Sequence, residues 1–227
     1  MAIFRSGLGE VKGKYGNLIT YVVKGQNRVR ATPLRYKDAN TEEQQKQRTR
    51  LKFVCKFYSY AMQEPLLKEV WRAAAVPTPY DRYVLFRKVN MNACTADFTI
   101  GDYTQLHLAQ GTLAKPLNMR FDLDEGDNLI VTWENHLDYL DSRADDELRI
   151  AFLRGDSYVA QVMGPTGATR KEERAVVPLE RKDGRPLYLY VFFAAPDGSA
   201  YSDDTYFRAE FKAGEGEDAA EGEEKAE

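Results

Sequence analysis

Apolar and polar residues alternate along the second half of the chain, whereas part of the first half shows helical spacing. Leu148, Ile150 and Phe152 have the period of two expected of a strand with one buried face. Seven such short runs lie between polar turns, and this spacing is typical of an antiparallel sandwich of the immunoglobulin or fibronectin type III kind. Trp133 is expected in its core. The runs are LNMRFDL, NLIVTWEN, ELRIAFLRG, SYVAQVMG, RAVVPLE, LYLYVFFAA and TYFRAEFKA.

A β-hairpin is predicted near the N-terminus, where the β-branched run LITYVV is followed by KGQN and RVRAT. Gly25 and Asn27 are the residues expected to take the positive φ of the turn. Pro33 ends the second strand, because proline donates no backbone hydrogen bond. Glycines at positions 7, 9, 13 and 16 predict an irregular lead-in with exposed backbone.

Three helices are predicted after the hairpin. Thr41 and Gln44 form the capping-box pattern T-x-x-Q. The nine residues after Thr41 include no apolar residue, and residues 51–62 then show a broad apolar face. The first half of this helix therefore faces solvent or a partner, and the second half is packed. PLLKEVWRAAAV, which begins with Pro65, and YDRYVLFRKVNM predict two shorter helices.

These elements predict an α+β fold with three parts. Residues 1–112 form a basic region of hairpin and helices, and residues 113–212 form the antiparallel β-sandwich. Residues 213–227 contain seven acidic residues and no large apolar one, so this tail is expected to be disordered.

The distribution of charge along the chain is more informative about function than the net charge of −3. The first sixty residues contain 13 Lys and Arg and 4 Asp and Glu, so the acidic excess lies in the rest of the chain. Such asymmetry favours a nucleic acid or another acidic surface as the partner of the basic part. With 43% hydrophobic residues the chain contains enough apolar surface for a packed core.

Residue patterns for cofactors and catalysis are mostly missing. Cys55 and Cys94 lie in no CxxC or Cys/His cluster, which disfavours a zinc site. Two buried free thiols are expected, and one bridge between them is the alternative. The spacing of the N-terminal glycines matches neither the P-loop nor the dinucleotide pattern. We therefore expect no cofactor and no enzymatic activity. The chain also has neither a secretory h-region nor a long apolar window, so a soluble cytoplasmic protein is expected.

Two acidic or histidine-containing segments allow a functional interpretation beside a structural one. His136 lies close in sequence to Glu134, Asp138 and Asp141, as in a metal or acid–base site, but a polar loop explains the same residues. The segment PDGSAYSDDTY has carboxylates for calcium, and a hairpin turn is the simpler interpretation. His107 is expected on the surface of a strand.

The basic N-terminal segment is the candidate binding site. Lysine and arginine neutralise phosphates, glutamine reads base edges, and the interleaved Tyr15, Tyr21 and Tyr36 can stack on bases. The same residues suit a protein–protein assembly surface, with a copy of the chain among the partners, or a solvated face over packed tyrosines. We expect protein assembly, and nucleic-acid binding is the alternative. The candidate residues are Lys12, Lys14, Asn17, Lys24, Arg28, Arg30, Arg35, Gln44, Gln47, Arg48 and Arg50.

The chain also resembles a known family. GKYGNLITYVVKGQNRVRATP, NTEEQQKQRTRLKF, YTQLHLAQGTL and the later VTW are similar to DUF6266, an uncharacterised family from Bacteroidetes. The resemblance covers residues 7 to about 212. It implies a bacterial origin and an association with mobile or phage-like elements. No catalytic residues are established for this family, so the resemblance implies none here.

Overall fold

The computed structural model describes residues 2–5, 7, 9–33, 38–135, 144–180 and 185–211. The chain divides into two compact units, which we call the N-terminal unit (Met1–Gln45) and the C-terminal unit (Lys46–Glu227).

The N-terminal unit is an antiparallel sheet with the strand order β1-β4-β3-β2. The predicted hairpin is confirmed as β3 and β4, but its turn uses different residues. Lys24 and Gly25 have φ of 50° and 71°, whereas Asn27 lies inside β4. The strands are β1 (Ala2–Phe4), β2 (Gly13–Tyr15), β3 (Leu18–Val23) and β4 (Gln26–Ala31).

Asn27 is a structural residue of this sheet. Its side chain is buried, accepts a hydrogen bond from the Val11 amide and donates one to the Gly9 carbonyl, both at 2.9 Å. Because one amide side chain satisfies both backbone groups, the glycine-rich lead-in is held against the sheet.

The three predicted helices are confirmed as α1 (Glu42–Ala61), α2 (Pro65–Ala75) and α3 (Arg82–Asn90). The capping box at the start of α1 is present, because Thr41 Oγ1 accepts from the Gln44 amide and Gln44 Oε1 accepts from the Thr41 amide, each at 3.3 Å. Asp81 caps α3 by accepting from the Val84 amide at 2.9 Å. The apolar face of α1 is buried from Phe53 onward, as its sequence predicts.

Two antiparallel sheets follow the helices. One has the order β11-β10-β7-β8 and the other the order β5-β6-β9. The strands are β5 (Leu117–Leu123), β6 (Asn128–Glu134), β7 (Glu147–Arg154), β8 (Gln161–Val162), β9 (Arg174–Pro178), β10 (Leu187–Ala194) and β11 (Thr205–Ala209). A single turn of 3-10 helix, Arg170–Glu172, precedes β9.

Strand β10 lies between two hydrophobic cores, and all eight of its residues are buried. Leu189 and Val191 contribute to the core that the two sheets share, together with Trp133. Tyr190 and Phe192 contribute to the second core, which contains the helices. The C-terminal unit therefore has three layers, with the helices on one face of the four-stranded sheet and the three-stranded sheet on the other.

This arrangement confirms an α+β fold with antiparallel sheets. It also places the helices differently from the predicted division at residue 112. The helices share a core with the four-stranded sheet, and the division between compact units lies at Gln45 and Lys46. The physical reason is that LYLYVFFA is apolar at every position, so the strand needs cover on both faces. The acidic tail lies outside the described residues.

Candidate interaction surface

Three of the predicted binding residues lie on one face of the N-terminal sheet. Lys14 is the register partner of Ile19, and Ile19 is the partner of Arg30, so the two cations flank one isoleucine on the same face. Arg28 pairs with Tyr21 in the next row of this face. The Arg30 guanidinium lies 6.0 Å from the centre of the Tyr21 ring. We call Lys14, Ile19, Tyr21, Arg28 and Arg30 the basic face.

Three further predicted residues lie outside the basic face. Lys12 is exposed and forms an ion pair with Glu10 at 2.8 Å. Asn17 and Lys24 lie in the turns at either end of β3, and the Asn17 carbonyl accepts a hydrogen bond from the Thr32 amide at 2.6 Å. Asn17 thus has a backbone role in the hairpin, and Arg35 lies outside the described residues.

The remaining predicted residues lie in α1 and have different roles. Gln44 belongs to the helix cap. Gln47 and Arg48 are exposed, as predicted for the polar half of the helix. Arg50 is partly buried, and its Nε donates to the carbonyl of Cys94 at 2.6 Å, which ties α1 to the segment after α3.

Sequence reasoning missed a basic and aromatic surface further along α1. Lys52 and Lys56 are exposed one helical turn apart. The Lys52 ammonium lies 5.8 Å from the centre of the Phe98 ring, and Lys56 lies 5.2 Å from that of Tyr158. A hydrogen bond with Tyr158 raises the pKa of Lys56. The two rings come from loops distant in sequence, and helical periodicity gives no sign of them.

Phe98 has an unusual backbone conformation for an aromatic residue. Its φ is 59°, a left-handed conformation that bulky residues rarely adopt, and its side chain is 36% exposed. The conformation holds the ring beside Lys52, where it also packs edge-on against Phe53. The sequence ADFT contains no signal for this.

The N-terminal unit has no buried apolar side chain among its described residues. Where the structure describes this unit, its two buried residues are the polar Thr20 and Asn27. In contrast, Ile3 is 63% exposed, Tyr15 58% and Leu18 48%. Tyr15 and Leu18 are register partners on either side of the Gly16–Asn17 turn, so they form an apolar tip where β2 connects to β3.

His107 lies in an irregular segment and not on a strand as expected. Its Nδ1 is 2.7 Å from Oδ1 of Asp204, whose Oδ2 accepts from the amides of Leu108 and Ala109 at 2.6 and 2.9 Å. The carboxylate is 3% exposed and raises the pKa of His107. Asp204 therefore holds the 107–109 segment beside the start of β11 through two backbone amides and the His107 ring.

The other acidic residues considered for metal binding have structural partners. Asp203 accepts from the Gly111 amide at 3.1 Å, and Asp197 accepts from the amide and hydroxyl of Ser199 in a turn. Among the described residues there is no group of three or more His, Cys, Asp or Glu side chains that can hold a metal. Glu134 accepts from Asn118 at 2.7 Å, and His136, Asp138 and Asp141 lie outside the described residues.

The two thiols are free, as predicted. Burial raises the pKa of Cys94 to about 12, so this thiol stays protonated at neutral pH and is a poor nucleophile. Cys55 Sγ lies 3.1 Å from the hydroxyl of Tyr83.

The comparison with protein families agrees with the motifs of the hairpin and the helix start. Residues 10–208 match the model of DUF6266, a family of unknown function. The chain belongs to this family. A search of the curated proteins found no match to this chain. Among the described residues of this DUF6266 protein, no helix is long and apolar enough to cross a membrane.

Two solved structures are similar to parts of the chain. A structure described as a myokine aligns with 42% of this chain and 96% of its own, at 13% identity and a TM-score of 0.30. The spore cortex lytic enzyme SleM of Clostridium perfringens aligns with 45% of this chain and 29% of its own, at 13% identity and a TM-score of 0.27. At these scores neither likeness bears on function.

Proposed function

We propose that this DUF6266 protein is a non-enzymatic binding protein that uses its N-terminal sheet as a protein–protein assembly surface. The observation that supports this most is the absence of a buried apolar side chain among the described residues of the N-terminal unit. Small sheets need a hydrophobic face covered by another element to be stable. A partner protein would supply that cover.

The chemistry of the exposed residues favours a protein as this partner. Ile3, Tyr15 and Leu18 present apolar surface that gains free energy when it leaves water. Nucleic-acid backbones offer little apolar surface in return. Lys14 and Arg30 lie on the same sheet and would select a partner with carboxylates nearby.

Matched variants test the proposal. Tyr15→Ser combined with Leu18→Ser removes the apolar tip, and Val176→Ser is the control because Val176 is 51% exposed in the C-terminal unit. The three proteins serve as baits in parallel, and their masses are measured by light scattering. Trp71 and Trp133 are both buried in the C-terminal unit, so their fluorescence reports whether that unit stays folded.

We expect association, with a second copy or with a recovered protein, for wild type and Val176→Ser and its loss in the double variant. A strict monomer whose recovered proteins are the same for all three baits would contradict the proposal. A partner that is lost in the double variant while the tryptophan spectra stay unchanged would support it.

Nucleic-acid binding is the second candidate function, and the surface of Lys52, Lys56, Phe98 and Tyr158 favours it. Cations one helical turn apart, beside the exposed Phe98 ring and the half-buried Tyr158 ring, match the combination of phosphate and base contacts in single-strand binding. Lys52→Glu plus Lys56→Glu would then weaken binding of an oligonucleotide and reduce its salt dependence. Lack of oligonucleotide binding by wild type at low salt would refute this function.

The proposal also covers the topology of the β-sandwich and the location of the protein in the cell. We infer a fibronectin type III-like topology for the sandwich, supported by the grouping of strands one, two and five in one sheet and three, four, six and seven in the other. In the immunoglobulin constant-type arrangement the fourth strand belongs to the sheet of the first, second and fifth. We also infer a cytoplasmic location, supported by the two free thiols.

A further inference from the structure

We propose that the basic face of the N-terminal sheet binds the acidic C-terminal segment, residues 213–227, of a second copy of the chain. This inference rests on the proposed function, in which the sheet is an assembly surface, and it names the partner. The result would be a head-to-tail contact between copies.

The first support is the arrangement of charge on the basic face. Lys14 and Arg30 lie two strands apart in one row, which places their Cα atoms roughly 9–10 Å from each other. Arg28 lies in the neighbouring row. Strands β1 to β4 contain no aspartate or glutamate, so their own ionisable side chains give this sheet positive charge only.

The second support is that two basic faces do not suit each other. A symmetric dimer through this face would bring the same residues of two copies together, and therefore like charges. Like charges across an interface are unfavourable. A heterologous contact avoids this, because a different part of the second copy meets the basic face.

The third support is the composition of the C-terminal segment. It contains seven carboxylates and one lysine, and no apolar residue larger than alanine. In an extended chain, residues two apart lie about 6.6 Å from each other on one side, which is within reach of the flexible cations of the face. Glu215 and Glu217 have this spacing, as do Glu221 and Glu223.

Each copy of the chain carries one basic face and one acidic segment. A head-to-tail contact therefore leaves the second surface of each copy available for a further copy. Because the attraction is mainly electrostatic, it should weaken strongly with added salt.

A charge swap tests the contact in the full-length protein. One variant reverses the face, with Lys14→Glu and Arg30→Glu. A second variant reverses the tail, with Glu215, Glu217, Glu221 and Glu223 each changed to Lys. Sedimentation velocity at low salt measures the association of each variant alone and of their mixture. Lys68→Glu plus Lys115→Glu is the control for the face, because both lysines are exposed in the C-terminal unit and the charge change is equal.

We expect wild type and the control to associate and each reversed variant alone to associate at least about tenfold more weakly. The mixture should recover the association, because the reversed tail of one variant meets the reversed face of the other. A mixture that remains as weak as its components would overturn the proposal. So would a wild-type protein that is monomeric at every concentration at low salt.

Deletion of residues 213–227 separates this inference from the proposed function. If the deletion leaves association intact while Tyr15→Ser with Leu18→Ser abolishes it, the tail is not the partner but the assembly surface stands. If reversing the charges of residues 213–227 changes the sedimentation coefficient equally at every protein concentration, the segment binds within its own chain. That result would overturn the contact between copies. Binding of an oligonucleotide by the basic face, with no binding of a 213–227 peptide, would overturn it as well.

Discussion

At the scale of single residues, Asp204 has more partners than any other carboxylate described above. It accepts two backbone amides and contacts His107, and it is almost completely buried. Asn90 holds the backbone of the same histidine from the other side, since it accepts from the His107 amide and donates to the His107 carbonyl at 2.8 and 3.0 Å. The irregular 107–109 segment is therefore positioned by two polar side chains.

The first prediction concerns the pH dependence of stability. The Asp204 hydrogen bond raises the pKa of His107 above its ordinary 6.5, so folding favours the protonated ring. The stabilisation is fully present below pH 6.5, the unfolded value, and is lost as the pH rises through the higher folded value. We expect the free energy of unfolding of wild type to decrease with pH over that interval, as measured by urea denaturation.

The matching variants isolate this pair. His107→Gln should remove the slope above pH 6.5, whereas His136→Gln, which changes the only other histidine, should keep it. Asp204→Asn should also remove the slope and lower stability by about 2 kcal/mol, because charged hydrogen bonds to two amides are lost. A slope that persists in His107→Gln would contradict the assignment.

These residue contacts mark the limit of prediction from sequence. His107 and Asp204 are 97 residues apart, and no local pattern connects them. The same holds for Lys52 with Phe98 and for Arg50 with the Cys94 carbonyl. In contrast, the helix cap at Thr41 depends on residues three apart, so its sequence pattern was sufficient.

At the scale of elements, the periodicity of the sequence predicts the strands and helices. It does not predict how the helices and the two sheets stack into three layers. LNMRFDL forms β5 over its full length, and α1 and α2 begin where the capping box and Pro65 predict. The run LYLYVFFA could have indicated the helical layer, because a strand without polar residues is buried on both faces. SYVAQVMG forms only the two-residue β8, as its single alternation is short.

The second prediction tests the double burial of β10. Phe192 packs in the core with the helices and Phe193 in the core between the sheets, where its ring lies 5.3 Å from Trp133. Phe192→Ala and Phe193→Ala should each lower the free energy of unfolding by about 3–5 kcal/mol, because each leaves a cavity in a packed core. Val176→Ala, at an exposed strand position, should change it by less than about 1 kcal/mol.

Tryptophan fluorescence provides the measurement for these variants. Trp71 lies in the core with the helices and Trp133 in the core between the sheets. Because β10 belongs to both cores, each β10 variant should shift the denaturation midpoint by the same amount in a Trp71→Phe protein and in a Trp133→Phe protein, each compared with its own background. A variant that shifts the midpoint in one background and leaves it unchanged in the other would mean that the layers unfold independently.

At the scale of the whole molecule, the buried apolar core and the proposed assembly surface belong to different units. Every buried apolar residue described belongs to the C-terminal unit, whereas the basic face and the apolar tip belong to the N-terminal unit. The composition of the first sixty residues predicted this bias in charge. It did not show that the helices after Gln45 belong with the sandwich, because that depends on which layers cover β10.

The third prediction follows from this division. A protein that lacks residues 1–38 retains the helix cap at Thr41 and every buried apolar residue that the structure describes. Its melting temperature, followed by the fluorescence of Trp71 and Trp133, should therefore differ from that of the full chain by less than about 3 °C, corresponding to roughly 1 kcal/mol for a domain of this size. Leu67→Ala in the same truncated protein is the destabilised control, because Leu67 is fully buried. A large loss of stability on truncation would mean that the N-terminal sheet stabilises the core. That result would contradict the proposal that the sheet serves to bind a partner.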